Sequence, residues 1–153
     1  MEIKKGIGVS PGVVISTAVV LDAEDLLIPR RSIEPAEAEN EVNRFHDSLA
    51  VASSDLSRLR AEMAARHGQE IGGIFDFHIG ILKDKSVISQ IDKEIRNNHA
   101  TAEYAVAQVC RRYANTFSQM SDRYFSERVK DIFDIERRLL HLLIGQRRED
   151  LQH

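Results

Sequence analysis

From Val42 to Met63, the apolar residues Val42, Phe45, Leu49, Ala52, Leu56, Leu59 and Met63 recur at alternating intervals of three and four. Only an α-helix lines up such positions on one narrow stripe, and that stripe must be covered by something else. The spacing therefore predicts one long helix from Glu34-Pro35 to about Arg66. Proline suits a first helical position, where no amide hydrogen is needed, and Glu37 and Glu39 lie near the positive end of the helix dipole. Gly68 ends the helix.

The elements on either side follow from the same kind of pattern. Upstream, Ile3 to Val9 and Val13 to Leu21 read as two strands joined by the turn Ser10-Pro11-Gly12, since proline presets φ and glycine accepts positive φ. Two strands alone make a marginal sheet. Downstream, Ile71, Ile74, Phe75, Phe77, Ile79, Ile81 and Leu82 predict a short helix weakened by Gly72, Gly73 and Gly80. Ser86 is read as the cap of a further helix carrying Val87, Ile88, Ile91 and Ile95, ended by Asn97-Asn98. Thr101 caps the next, with Ala102, Ala105, Val106, Val109, Tyr113, Phe117 and Met120 on helical spacing. Ser121-Asp122 interrupts it, and a last helix carries Phe125, Val129, Ile132, Leu139, Leu140 and Leu143 to Gly145. The expected class is mainly α: a four-helix-bundle-like pair of helical hairpins preceded by one or two short β-strands. The expected organisation is a strand segment over 1–22, a helical domain over 23–145, and a polar, fraying tail over 146–153.

Composition narrows the function classes. The net charge of −3 opposes a general nucleic-acid binder, which needs a basic footprint. No run of about 18 apolar residues is present to insert in a membrane, and glycines and Pro11 break the apolar opening that a signal peptide would need. A single cysteine, Cys110, allows no internal disulfide, so a cytoplasmic location is expected.

Few residues announce chemistry. Gly6, Gly8 and Gly12 fit neither a dinucleotide nor a P-loop fingerprint. His46, His67, His78, His99, His141 and His153 include no i, i+4 pair, so surface or interface histidines are expected and no metal site. Cys110 reads as a buried, inert thiol. Asp131, Asp134, Glu136, Arg137 and Arg138 read as solvated ion pairs along one helix. The run Ile74-Phe75-Asp76-Phe77-His78-Ile79-Gly80-Ile81-Leu82-Lys83-Asp84 is too apolar for one buried face. It is either buried all round or an open apolar patch rimmed by a histidine and acids, the kind that marks a partner site.

Three segments carry a resemblance to Enzyme I, the first protein of the bacterial sugar phosphotransferase system. Gly6 to Gly12 is similar to the family's opening with its Ser-Pro-Gly. Ile74 to Leu82 resembles its Ile-Phe-x-x-His-x-x-Leu-Leu run, and Asp131-Ile132-Phe133-Asp134-Ile135-Glu136-Arg137-Arg138-Leu139-Leu140 its Asp-x-x-Asp-Ile-x-x-Arg-Leu-Leu helix. Gly80 departs from the family's frequent large apolar residue, Lys85-Ser86 from common acids, and Phe133 from a frequent arginine.

The resemblance implies an N-terminal fragment of a phosphoenolpyruvate-protein phosphotransferase, whose helical part docks the phosphocarrier HPr. The implied docking positions are Gln69, Glu70, Ile74, His78, Gly80, Ile81, Asp84 and Arg128, with Glu70, Asp76 and Asp84 steering a basic carrier. The family's Gly-Gly-x-x-Ser-His phosphohistidine motif has no match here, and its phosphoenolpyruvate and Mg2+ site belongs to a later barrel domain. The fragment is thus expected to dock, not catalyse, with no cofactor of its own and the rest of the parent enzyme as a partner. The strands of 1–22 would belong to an absent α/β phosphohistidine subdomain. They are expected to be mobile, folded back, or paired with another chain, the last giving self-association through the strands. Two other classes remain: an adaptor or oligomerising bundle that uses the stripe from Val42 to Met63, and a helical enzyme of chorismate-mutase type, which requires inward arginines.

Overall fold

A computed structural model describes residues 28–152. The strands expected within residues 1–22 lie outside the described residues. What is described is a helical bundle. Pro35–Glu37 forms a 3-10 turn that leads into α1 (Ala38–His67). Then come α2 (Gln69–Gly72), a second 3-10 turn (Gly73–Phe75) and α3 (Asp76–Lys83). The chain continues through α4 (Lys85–Asn98), α5 (Ala102–Ser118), α6 (Arg123–Glu127) and α7 (Val129–Gln152).

The predicted stripe is the core seam of α1. Val42, Phe45, Leu49, Ala52 and Leu56 are buried, with Leu59 half-buried against them. Their cover comes from Val87, Ile91 and Ile95 of α4, Val106 and Val109 of α5, and Ile132, Ile135, Leu139, Leu140 and Leu143 of α7. Each such large side chain, fully buried, contributes about 1.5–3 kcal/mol. Because the chain covers its own stripe, α1 has no bare seam to offer a second copy. Oligomerisation through that stripe is thereby set aside.

The α1 start follows the capping-box logic, with Glu37 Oε1 accepting the Glu34 amide hydrogen bond at 3.0 Å. Gly68 stops the helix at φ +98, a conformation that glycine tolerates best. The short helix expected after it is split into α2, a 3-10 turn and α3 around Gly72-Gly73. The break permits a close approach: a Cβ on Gly72 would lie 2.8 Å from Ala64 Cβ and 3.0 Å from the Arg60 carbonyl oxygen. The caps of α5 and α6 are Thr101 and Asp122, whose side chains accept from the amides of Tyr104 and Tyr124.

Two local expectations are corrected. Asp84, not Ser86, caps α4: its Oδ1 accepts from the Val87 amide at 3.0 Å. Ser86 is instead 3.0 Å from the Tyr113 hydroxyl. Nor does the last helix stop at Gly145 with a frayed tail after it; α7 continues to Gln152. It does so because Arg147 is anchored sideways, its Nε donating to Glu103 at 2.8 Å and its Nη2 at 3.0 Å.

Candidate functional site

The segment that the sequence left undecided is open to solvent. Ile74 is 60% exposed, Ile81 half-buried, and only Leu82 of α3 is buried. A short helix following a glycine-broken turn cannot turn every apolar side chain inward, and here the surplus faces a groove of about 1130 Å³. That groove brings together Glu70, Ile74, His78, Gly80, Ile81, Asp84 and Arg128. Gln69, the remaining expected position, is exposed at the start of α2 and is not part of the lining.

The sequence did not supply the opposite wall. Phe117 from α5, Tyr124 from α6, and Lys130 and Asp131 from α7 complete the groove. Aromatic contacts hold this wall: Phe117 meets Phe125 edge-on at 5.2 Å between centroids and leans on Phe77 at 6.5 Å. The Arg128 guanidinium lies 4.8 Å from the Tyr124 ring centre and 5.6 Å from that of Phe77. Such stacking is worth about 0.5–1 kcal/mol at an exposed site and fixes the plane of the charge. Phe117 was legible as a core position, but not as a groove position. Nothing along the chain says that α5, α6 and α3 meet.

The acids expected to steer a partner differ in their availability. Asp76 is held by Arg60, Nε to Oδ1 at 2.5 Å, and that hydrogen bond lowers its carboxyl below the ordinary value. Asp84 spends one oxygen on the α4 cap. Glu70 is exposed on the rim. The other wall adds Arg128, Lys130 and Asp131, so both signs of charge line the groove.

Beneath the groove, His78 Nε2 lies 3.7 Å from Asp131 Oδ1 and 3.9 Å from Asp134 Oδ2. His78 also borders a second cleft of about 570 Å³, lined in part by Asp134, Arg137, Arg138 and His141. The expectation that the acids of this helix are solvated is corrected for two of them. Asp131 is 8% exposed and Glu136 5% exposed, while Asp134 does form the i,i+3 pair with Arg137 at 3.4 Å. Burial raises the Glu136 carboxyl, opposed by Arg111 at 3.4 Å. Burial also pushes the Cys110 thiol up to about 12, with Glu136 adding to the rise, so it is an inert core thiol.

Arginines do occur inside the bundle. Arg44 Nη1 donates to Glu41 at 2.9 Å and to Glu103 at 3.2 Å, and its Nη2 to the Leu143 carbonyl at 2.8 Å. With Arg147 on the same two glutamates, the positive and negative charges are matched. No cationic socket is left for a dicarboxylate substrate, so the inward arginines of a chorismate-mutase-type site are present but consumed. Among the described residues, no helix is long and apolar enough to cross a membrane.

Comparisons with known proteins are consistent with this architecture. The family model for the N-terminal region of PEP-utilising enzymes matches residues 5–128. The phosphoenolpyruvate-protein phosphotransferase of Enterococcus faecalis is 34% identical over 145 residues, which is 94% of this chain and 25% of that protein. Its counterpart from Bacillus subtilis is 30% identical over 145 residues, covering 95% and 25%. The chain thus spans about a quarter of the length of the curated relatives it matches. A solution structure of Enzyme I superimposes with a TM-score of 0.73 at 26% identity, over 78% of this chain and 48% of that one. The N-terminal domain of Enzyme 1 - Nitrogen gives 0.72 at 27%, over 78% and 49%.

Proposed function

Since the chain belongs to the family of PEP-utilising enzyme N-terminal regions, we propose that its groove docks an HPr-like phosphocarrier on behalf of a phosphoenolpyruvate-protein phosphotransferase. The carrier would exchange its phosphoryl group with a histidine in another part of the parent enzyme. This helical part supplies position and not chemistry. Phosphoenolpyruvate and Mg2+ would be handled in the later barrel domain of that enzyme, and the location would be cytoplasmic.

One observation carries the proposal. Seven of the eight positions implied by the family resemblance line a single open groove, among them Ile74, 60% exposed and outside the packed core. An apolar centre with a polar rim is the usual anatomy of a protein interface. The lining charges refine the expected partner: a carrier with basic groups toward Glu70 and acidic or carbonyl groups toward Arg128 and Lys130 complements them.

The test is a titration of the 15N-labelled protein with HPr-like carriers. Signals of Ile74 to Asp84 and of Arg128 should shift together. Ile74→Asp should weaken binding about tenfold or more, the 1–2 kcal/mol of a central interface side chain, with an unchanged helical circular dichroism signal. Equal affinity of Ile74→Asp and wild type would move the docking surface elsewhere.

A further inference from the structure

We propose that His78, Asp131 and Asp134 form a binding site for a borderline divalent transition-metal ion of the Zn2+ type, independent of whether the groove above them docks a carrier. The candidate donor atoms of the three residues all lie within 4.8 Å of one another. They come from two elements, His78 from α3 and the two aspartates from successive turns of α7, so no spacing along one helix reveals them.

Three features point to a cation and not merely to a tangle of ion pairs. The first concerns which oxygens are free. Arg128 approaches Asp131 at Oδ2 and Arg137 approaches Asp134 at Oδ1, at 3.5 and 3.4 Å. The oxygens facing His78 are the other two, Asp131 Oδ1 and Asp134 Oδ2. Each arginine therefore holds the outer oxygen of a carboxylate and leaves the inner one directed at the imidazole, the arrangement by which outer partners orient metal ligands.

The second is that Asp131, with a side chain 12% exposed, has an Oδ1 that accepts no hydrogen bond from the described residues and faces His78 Nε2 at 3.7 Å. A carboxylate oxygen left free in this way has room for a positive partner. The third is His78 itself, whose Nδ1 is buried without a partner. Its Nε2, on the side of the two oxygens, likewise makes no hydrogen bond among the described residues and is uncommitted.

The spacing suits the ion. Metal–nitrogen and metal–oxygen bonds of about 2.1 Å in a tetrahedron put donors about 3.4 Å apart; the His78 gaps of 3.7 and 3.9 Å exceed this by a few tenths of an ångström, and the gap between the two aspartate oxygens is within 4.8 Å. One imidazole and two carboxylates favour Zn2+ over Mg2+, which prefers six oxygens. A fourth position would face the groove or the second cleft, both of which His78 borders.

The experiment is calorimetric titration with Zn2+ and visible spectroscopy with Co2+, run on wild type, His78→Gln, Asp134→Asn and, as a control, His46→Gln. Asp134 has a side chain 49% exposed, so its amide variant should fold normally. Wild type and His46→Gln should bind one ion with a tetrahedral Co2+ spectrum. His78→Gln and Asp134→Asn should lose more than the roughly 10–100-fold caused by removing a mere outer partner. Mg2+ should not compete. Equal Zn2+ affinity in wild type and Asp134→Asn, or loss confined to His46→Gln, would overturn the proposal. Carrier titrations with and without Zn2+ keep this outcome separate from the docking result.

Discussion

Two charged clusters sit on the same helix, and they are built in opposite ways. Arg147 and Asp131 of α7 are about 24 Å apart along its axis. Near Arg147, two glutamates and two arginines from three helices close on one another, with several bonds of 2.8–3.0 Å and a backbone cap added: Glu41 Oε2 accepts the Ala102 amide at 2.7 Å. Near Asp131, the contacts stretch to 3.4–3.9 Å, two ring or guanidinium nitrogens (His78 Nδ1 and Arg128 Nε) are buried without partners, and a groove opens above. A closed cluster specifies how helices are clamped; a cluster with spare valence is where a ligand or partner can still contribute. Structural and functional charges are thus told apart by satisfaction, not by burial alone.

The largest effect that separates the two ends should come from Glu103→Ala. It leaves two arginines to share Glu41 alone in a site where the lost glutamate side chain was only 7% exposed, and breaking a buried pair in this way costs about 3–5 kcal/mol. Asp131→Asn, which removes only long contacts, should cost less than about 1 kcal/mol. Urea unfolding of both variants checks the contrast, and equal losses would break it. Amide exchange in Glu103→Ala should also rise from Gln146 to Gln152, because Arg147 is what carries the helix past Gly145.

That same clamp shows where sequence reasoning stopped. Val42 to Leu56 and Thr101 were legible because stripes and caps are local rules with periods of a few residues. Arg147 pairs with a glutamate 106 positions away and another 44 away, and no periodicity encodes that. The tail looked polar, hence frayed, because its partners were invisible. The Asp84 cap was missed because Asp84 and Ser86 are both competent acceptors two residues apart, and only the bond decides between them. At the candidate site, the α3 wall was readable as an apolar surplus. The Phe117, Tyr124 and Lys130 wall was not, and the grouping of His78 with Asp131 and Asp134 depends on how α3 crosses α7.

Acidity offers an intermediate effect with a definite sign. Burial opposes ionisation of Glu103, but hydrogen bonds from Arg147 and Arg44 outweigh it and hold the group at about 2. A carboxyl with a folded pKa below its unfolded value contributes stability that is complete above the unfolded pKa. That contribution should therefore fade as pH falls from about 4.5 toward 2. Glu136 has the opposite sign: raised by burial, it favours the folded state least once it is ionised, so its penalty appears as pH rises. Stability measured against pH should lose its acid slope in Glu103→Gln and keep it in Glu136→Gln. Identical slopes would show that the clamp is not the group being titrated.

The smallest effect belongs to the open end and runs the other way. Gly80 lies within α3, exposed, and a Cβ built there meets nothing within 4 Å, whereas one on Gly72 would strike Ala64. Replacing a helical glycine with alanine where no contact is disturbed gains about 0.5–1 kcal/mol, mostly through the unfolded chain. Gly80→Ala should therefore raise the unfolding midpoint slightly, and differential scanning calorimetry can resolve the shift. The new methyl group would also face the groove beside Ile81, extending its apolar centre. If the groove receives a carrier, Gly80→Ala should bind it at least as tightly as wild type. A gain in stability accompanied by weaker docking would mean that the glycine leaves room for the partner's own backbone, and that the spare space at this end is part of the recognition.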